Sequence, residues 1–93
     1  MRFLNFLCNE LGCYLDELKS DRRGSVSKKR KLIIIALSMY GVEKSEICKL
    51  LNKDYSSVYQ ALKKIKPEDI EKVALLTQKF NDWEKNVYNK LFS

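Results

Sequence analysis

Between Lys53 and Lys64 the chain sets nine polar side chains, Lys53, Asp54, Tyr55, Ser56, Ser57, Tyr59, Gln60, Lys63 and Lys64, around the apolar residues Val58, Ala61 and Leu62. The chemistry these residues offer is recognition. Serine and tyrosine hydroxyls bond phosphate oxygens or base edges, glutamine pairs bidentately with adenine, and lysine neutralises phosphate. Catalysis is not on offer. The chain has no His, no clustered loop carboxylates and no G-x-x-x-x-G-K-[ST] phosphate cradle, so the usual acid, base and nucleophile constellations are missing. No enzyme, no cofactor and no metal is expected. The three cysteines, Cys8, Cys13 and Cys48, fall short of the four ligands of a structural zinc site. They read as small buried residues in a reducing cytosol.

The elements that must position the polar residues are two short helices joined by a tight turn. The first spans Ser45 to Leu51, with Ile47, Leu50 and Leu51 on one face. The second spans Tyr55 to Ile65, with Val58, Ala61, Leu62 and Ile65 inward, at the i, i+3, i+4, i+7 spacing of an amphipathic helix. Asn52 stands where the turn needs a residue that tolerates the left-handed conformation. Asp54 is placed to cap the second helix, and Cys48 is small enough for two helices to cross there. This is the layout of a helix-turn-helix, whose second helix lies in the DNA major groove. On spacing alone, a helical hairpin whose polar face meets only water is an equal reading.

Charge separates the two. Residues 22–66 carry twelve basic and three acidic groups, net +9, whereas residues 1–21 are net −2 and residues 67–93 net −1. Solvation of an ordinary surface does not require that segregation, and a polyanionic partner explains it. The stretch Asp21 to Lys31 is the most charged, with Arg22, Arg23, Lys28, Lys29, Arg30 and Lys31. Gly24 and Ser25 predict a loop over its first part, with Ser27 capping a helix that begins at Lys28.

Elsewhere the pattern is helical. Arg2 to Leu11 puts Phe3, Leu4, Leu7, Cys8 and Leu11 inward and ends at Gly12. A short helix follows around Leu15 to Lys19, with Asp16 and Glu17 in its first turn, where the helix dipole favours them. Lys28 to Tyr40 is predicted as the central helix, with Leu32, Ile33, Ile35, Ala36 and Met39 in the core and Gly41 as terminator. Pro67 suits a first helical position and opens a long helix over roughly Glu68 to Leu91. Its residues Val73, Leu76, Phe80, Trp83 and Val87 make a seam of coiled-coil spacing. The seam is expected to pack on the chain's own helices, against Phe3, Phe6 and Leu7. A homodimer or protein partner through part of it is the alternative. The fold class is therefore all-α, a small helical bundle with a helix-turn-helix and a long C-terminal helix. It forms one domain over residues 1–93, with a core at 2–65 and the terminal helix at 67–92. No secretory signal is read, and the aliphatic run Leu32 to Leu37 is far short of the ~20 residues that span a bilayer. A cytoplasmic, nucleoid-associated protein with no membrane partner is expected.

The residues resemble a known family, the C-terminal DNA-binding domain (domain IV) of the bacterial replication initiator DnaA, of the Trp-repressor-like helix-turn-helix superfamily. The likeness runs from about Phe6 to Ile65 and extends to the end of the chain. Leu11, Gly12, Leu15 and Leu18 fall on that family's L-G-V…x-D-L opening, and Arg22 and Arg23 on the start of its basic loop. Lys31, Ala36 and Leu37 lie over its R-Q-x-A-M-x-L helix, and Glu46 and Ile47 over E-I-G. Lys53, Asp54, Tyr55, Ser56, Ser57 and Val58 lie over its signature R-D-H-T-T-V, and Ala61, Lys64 and Ile65 over A-x-x-K-I. The chain departs from the family where a double Gly gives way to Asn52, Arg to Lys53, His to Tyr55 and both Thr to Ser. The loop before Glu46 is also shorter. Replacing Thr by Ser loses a methyl that can meet a thymine methyl, so the resemblance implies DNA binding without implying the initiator's own site.

Three functions are thus open. The first is sequence-specific binding of double-stranded DNA, in replication initiation or its regulation, by a bacterial or mobile-element protein. Here Ser56, Ser57, Tyr59 and Gln60 would read, Lys53, Lys63 and Lys64 would hold the backbone, and residues 22–31 would grip flanking phosphates or the minor groove. The second is a protein-interaction adaptor using the terminal helix. The third is single-stranded DNA or RNA binding, with Tyr55 and Tyr59 stacking on bases.

Overall fold

The computed structural model describes residues 1–20 and 24–92. Among them run six helices: α1 (Arg2–Leu11), α2 (Leu15–Ser20), α3 (Gly24–Tyr40), α4 (Lys44–Leu51), α5 (Tyr55–Lys63) and α6 (Pro67–Phe92). The architecture is an all-α bundle with a helix-turn-helix and a long terminal helix.

Three of the helix ends are set by single residues. Gly12, Gly41 and Asn52 adopt positive φ. At each, the amide of that residue and of the next turn back onto the preceding helix, as in Cys13 to the Cys8 carbonyl, Val42 to that of Leu37 and Lys53 to that of Cys48. This double closure satisfies carbonyls that a helix end leaves open. Two starts are set by carboxylates three residues in. The Tyr14 amide donates to Glu17 Oε1 at 3.1 Å, and the Lys66 amide to Asp69 Oδ2 at 3.1 Å. Each is the reciprocal half of a capping box.

α3 is the axis. Ile33, Ile34, Ile35, Ala36 and Leu37 are all buried, five consecutive residues that cover the full circumference, and α3 touches every other helix. A helix apolar all round is a buried one. Its start corrects the expectation of a loop: Gly24 and Ser25 are helical, and Ser27 lies inside the helix rather than capping it. The cause is Val26, 3% exposed, which stands seven and eleven residues before Ile33 and Leu37 and extends their stripe by two turns. Burial there overrides the weak helix propensity of Gly and Ser. At the other end Met39 is exposed and lies outside the core, whereas Leu32, at mid-helix, is half-buried and packs against it.

α6 lays Val73, Leu76 and Phe80 into the same core. The Phe80 ring lies 4.8 Å from Phe3 and 5.3 Å from Phe6, and Trp83 lies 5.7 Å from Phe6. The seam therefore packs on the chain's own helices, with Phe80 and Trp83 against α1 and α6 also packed along α3. Val73, Leu76 and Phe80 are closed to any partner, and only Trp83 and Val87 of the seam reach the surface. No helix among the described residues is long and apolar enough to cross a membrane.

Candidate nucleic-acid interface

The turn between α4 and α5 is held at both ends. Asn52 carries φ 51° and ψ 47°, and Asp54 Oδ1 accepts from the Ser57 amide at 3.0 Å. Hydrogen bonds from Ser57, side chain first and then backbone, hold the Asp54 carboxyl below the usual carboxylate range. Asp54 is thus a cap, satisfying a free amide at the start of α5, and its charge sits where the helix dipole favours it. α5 ends at Lys63, two residues short of the expected Ile65, which is itself exposed.

With Val58 fully buried and Ala61 and Leu62 half-buried, the outward side of α5 divides into three bands at 100° per residue. Ser56, Gln60 and Lys63 point straight out. Tyr55 and Tyr59 occupy the flank beside α4, with rings 6.4 Å apart and within 18° of parallel. Ser57 and Lys64 occupy the flank beside α3.

That last flank borders an open groove of about 460 Å³, lined by Ser27, Arg30, Lys31 and Ile34 of α3, Lys53 of the turn, Ser57, Gln60 and Ala61 of α5, and Lys64 just past its end. Three of its four cations are held by the protein. Arg30 Nε donates to the Leu18 carbonyl at 2.6 Å and Lys53 Nζ to the Lys19 carbonyl at 2.9 Å. Both carbonyls belong to the open C-terminal end of α2, where the helix dipole favours cations. Lys31 Nζ lies 3.2 Å from Asp69 Oδ2. The backbone amide of Lys66, and then Lys31, hold that carboxyl below its ordinary range.

The sequence-assigned residues do not all converge. Arg30, Lys31, Lys53, Ser57, Gln60 and Lys64 meet in the groove, and Ser56 and Lys63 stand on the adjoining face. Lys29 turns away, its ammonium 3.4 Å from the Gly12 carbonyl. Lys28 faces α6, in a second depression with Lys66 and Lys72. Arg22 and Arg23 lie outside the described residues. Two residues were missed. Ser27 lines the groove because it lies three and four residues before Arg30 and Lys31 on one helix, which a start at Gly24 would have revealed. Lys44, at the start of α4, sets its ammonium 5.5 Å from the centre of the Tyr59 ring, a pairing across the turn with no mark in the sequence.

Elsewhere the chemistry is quiet. No group of three or more His, Cys, Asp or Glu among the described residues could hold a metal ion. The cysteines are free, and burial, with Cys13 beside it, pushes the Cys8 thiol up to about 11. Compared with known proteins, the chain matches no family model, no curated protein and no solved structure.

Proposed function

We propose that the chain is a double-stranded DNA-binding module, with α5 laid in the major groove and the adjoining sugar-phosphate backbone gripped by the α3–α5 groove. One observation carries this reading: four cations line a single groove, directly beside a helix that exposes hydroxyls and an amide. Fixed cations lose little side-chain freedom when an anion arrives, so binding is less opposed by entropy. Each phosphate they neutralise releases condensed counterions. Ser56, Ser57 and Gln60 supply the donors and acceptors that base edges require. The likeness of residues 53–58 to the signature of the replication initiator's domain IV supports the same reading, and with it a role in replication initiation or its regulation.

Two substitutions separate grip from reading. Lys64→Ala is expected to weaken binding uniformly across duplex sequences and to reduce the salt slope by about 1. Gln60→Ala is expected to flatten the ranking of duplex sequences and leave the slope in place. An unchanged slope in the first variant contradicts the groove's role, and an unchanged ranking in the second contradicts the reading role of Gln60.

A further inference from the structure

The flank of α5 away from the cationic groove is unlike the rest of the interface. Tyr55 is 56% and Tyr59 45% exposed, although every other outward residue of α5 is a serine, a glutamine or a lysine. The two rings stand one turn apart, within 18° of parallel. The Lys44 ammonium lies 5.5 Å from the centre of the second ring. Neither tyrosine is needed to close the core, which Val58 and the half-buried Ala61 and Leu62 already do at this helix.

Continuous duplex has little use for such a surface. Paired bases hide their faces in the stack and present only edges to a groove. A flat aromatic ring offers its best interaction to another flat face, and the bases that expose one are unpaired. The Lys44 ammonium lies over the Tyr59 ring, so the more exposed Tyr55 ring is the one offered to a base, with a cation one turn away for the phosphate of that nucleotide.

We propose that Tyr55 and Tyr59, together with Lys44, form a stacking site for an unpaired base, so that the protein prefers duplex bordering a single strand to continuous duplex. The inference rests on the nucleic-acid reading of α5 and adds the kind of DNA that α5 meets.

The test compares three labelled ligands by fluorescence anisotropy at fixed salt: a blunt duplex, the same duplex with a single-stranded thymidine tail, and the tail strand alone. Wild type should bind the tailed duplex about tenfold more tightly than the blunt one, the order expected for one stacked base. In the double variant Tyr55→Leu/Tyr59→Leu, with helical content verified by circular dichroism, the ratio of the two affinities should fall to one. In Tyr55→Phe/Tyr59→Phe it should persist, because stacking uses the ring and not the hydroxyl. Equal wild-type affinities for tailed and blunt duplex overturn the proposal, as does a ratio that survives the leucine variant or is lost in the phenylalanine one. Binding of the single strand alone, lost in the leucine variant, would sustain the stacking site while removing the duplex reading. Binding of none of the three removes both.

Discussion

The ammonium of Lys53 donates a hydrogen bond to the carbonyl oxygen of Lys19, 2.9 Å away and 34 residues earlier in the chain. With Arg30 on the neighbouring Leu18 carbonyl, it makes the end of α2 the anchor of two groove cations. A six-residue helix that contributes one fully buried side chain, Leu18, thereby sets the geometry of the interface. Lys53→Met keeps most of the aliphatic stem and removes the bond. It should lower stability by about 1 kcal/mol, measured by urea unfolding, and should weaken duplex binding while leaving α5 helical. Unchanged affinity would mean that the anchored ammonium takes no part in binding.

Asp54 fixes where α5 begins. Asp54→Ala should lower the melting temperature, and Asp54→Asn, which retains an acceptor, should recover most of the loss. The pH dependence has a definite sign. Because the folded-state pKa lies below its ordinary value, the charged carboxyl stabilises the fold above roughly pH 4. That contribution is lost as pH falls through the lowered folded value. Asp69 shifts the same way, so the quantity to follow is the difference between wild type and Asp54→Ala. It should be constant near neutrality and shrink in acid. A difference that grows in acid would refute the cap.

Phe80 and Trp83 belong to one seam but to different environments. Phe80 is 1% exposed and Trp83 42%. Phe80→Ala should cost roughly 3–5 kcal/mol, a large share of the 5–15 kcal/mol that holds a typical domain. Trp83→Ala should cost clearly less, because much of its surface already meets water. Comparable losses in urea unfolding would show that Trp83 is buried in solution, by a second copy or another partner.

Much of this was written in the sequence where the cause is local. Gly12, Gly41 and Asn52 mark helix ends because few residues accept positive φ, and Asp54 marks a start because its side chain reaches an amide three residues on. Non-local causes left no such marks. Gly24 and Ser25 look like a loop, and only the burial of Val26 against other helices makes them the first turn of α3. Ile65 keeps the spacing of the inward face of α5, yet α5 ends at Lys63. Pro67 disfavours the helical conformation for Lys66 before it, and Lys64 has already left it, at φ −106° and ψ 38°. The groove itself was half legible. The basic residues were plain, but the carbonyls of Leu18 and Lys19 that anchor two of them carry no sequence signature. Lys28 and Lys29 looked equivalent to Arg30 and Lys31 until the helix turned them to other faces.

The most direct measurement is the anisotropy of a labelled random-sequence duplex, titrated with protein across a salt series. With four cations in the groove, one of them already paired with the Asp69 carboxylate, log K should fall linearly with log salt, with a slope of roughly −3. No duplex binding at low salt, or an affinity indifferent to salt, would contradict a phosphate-gripping groove beside a reading helix.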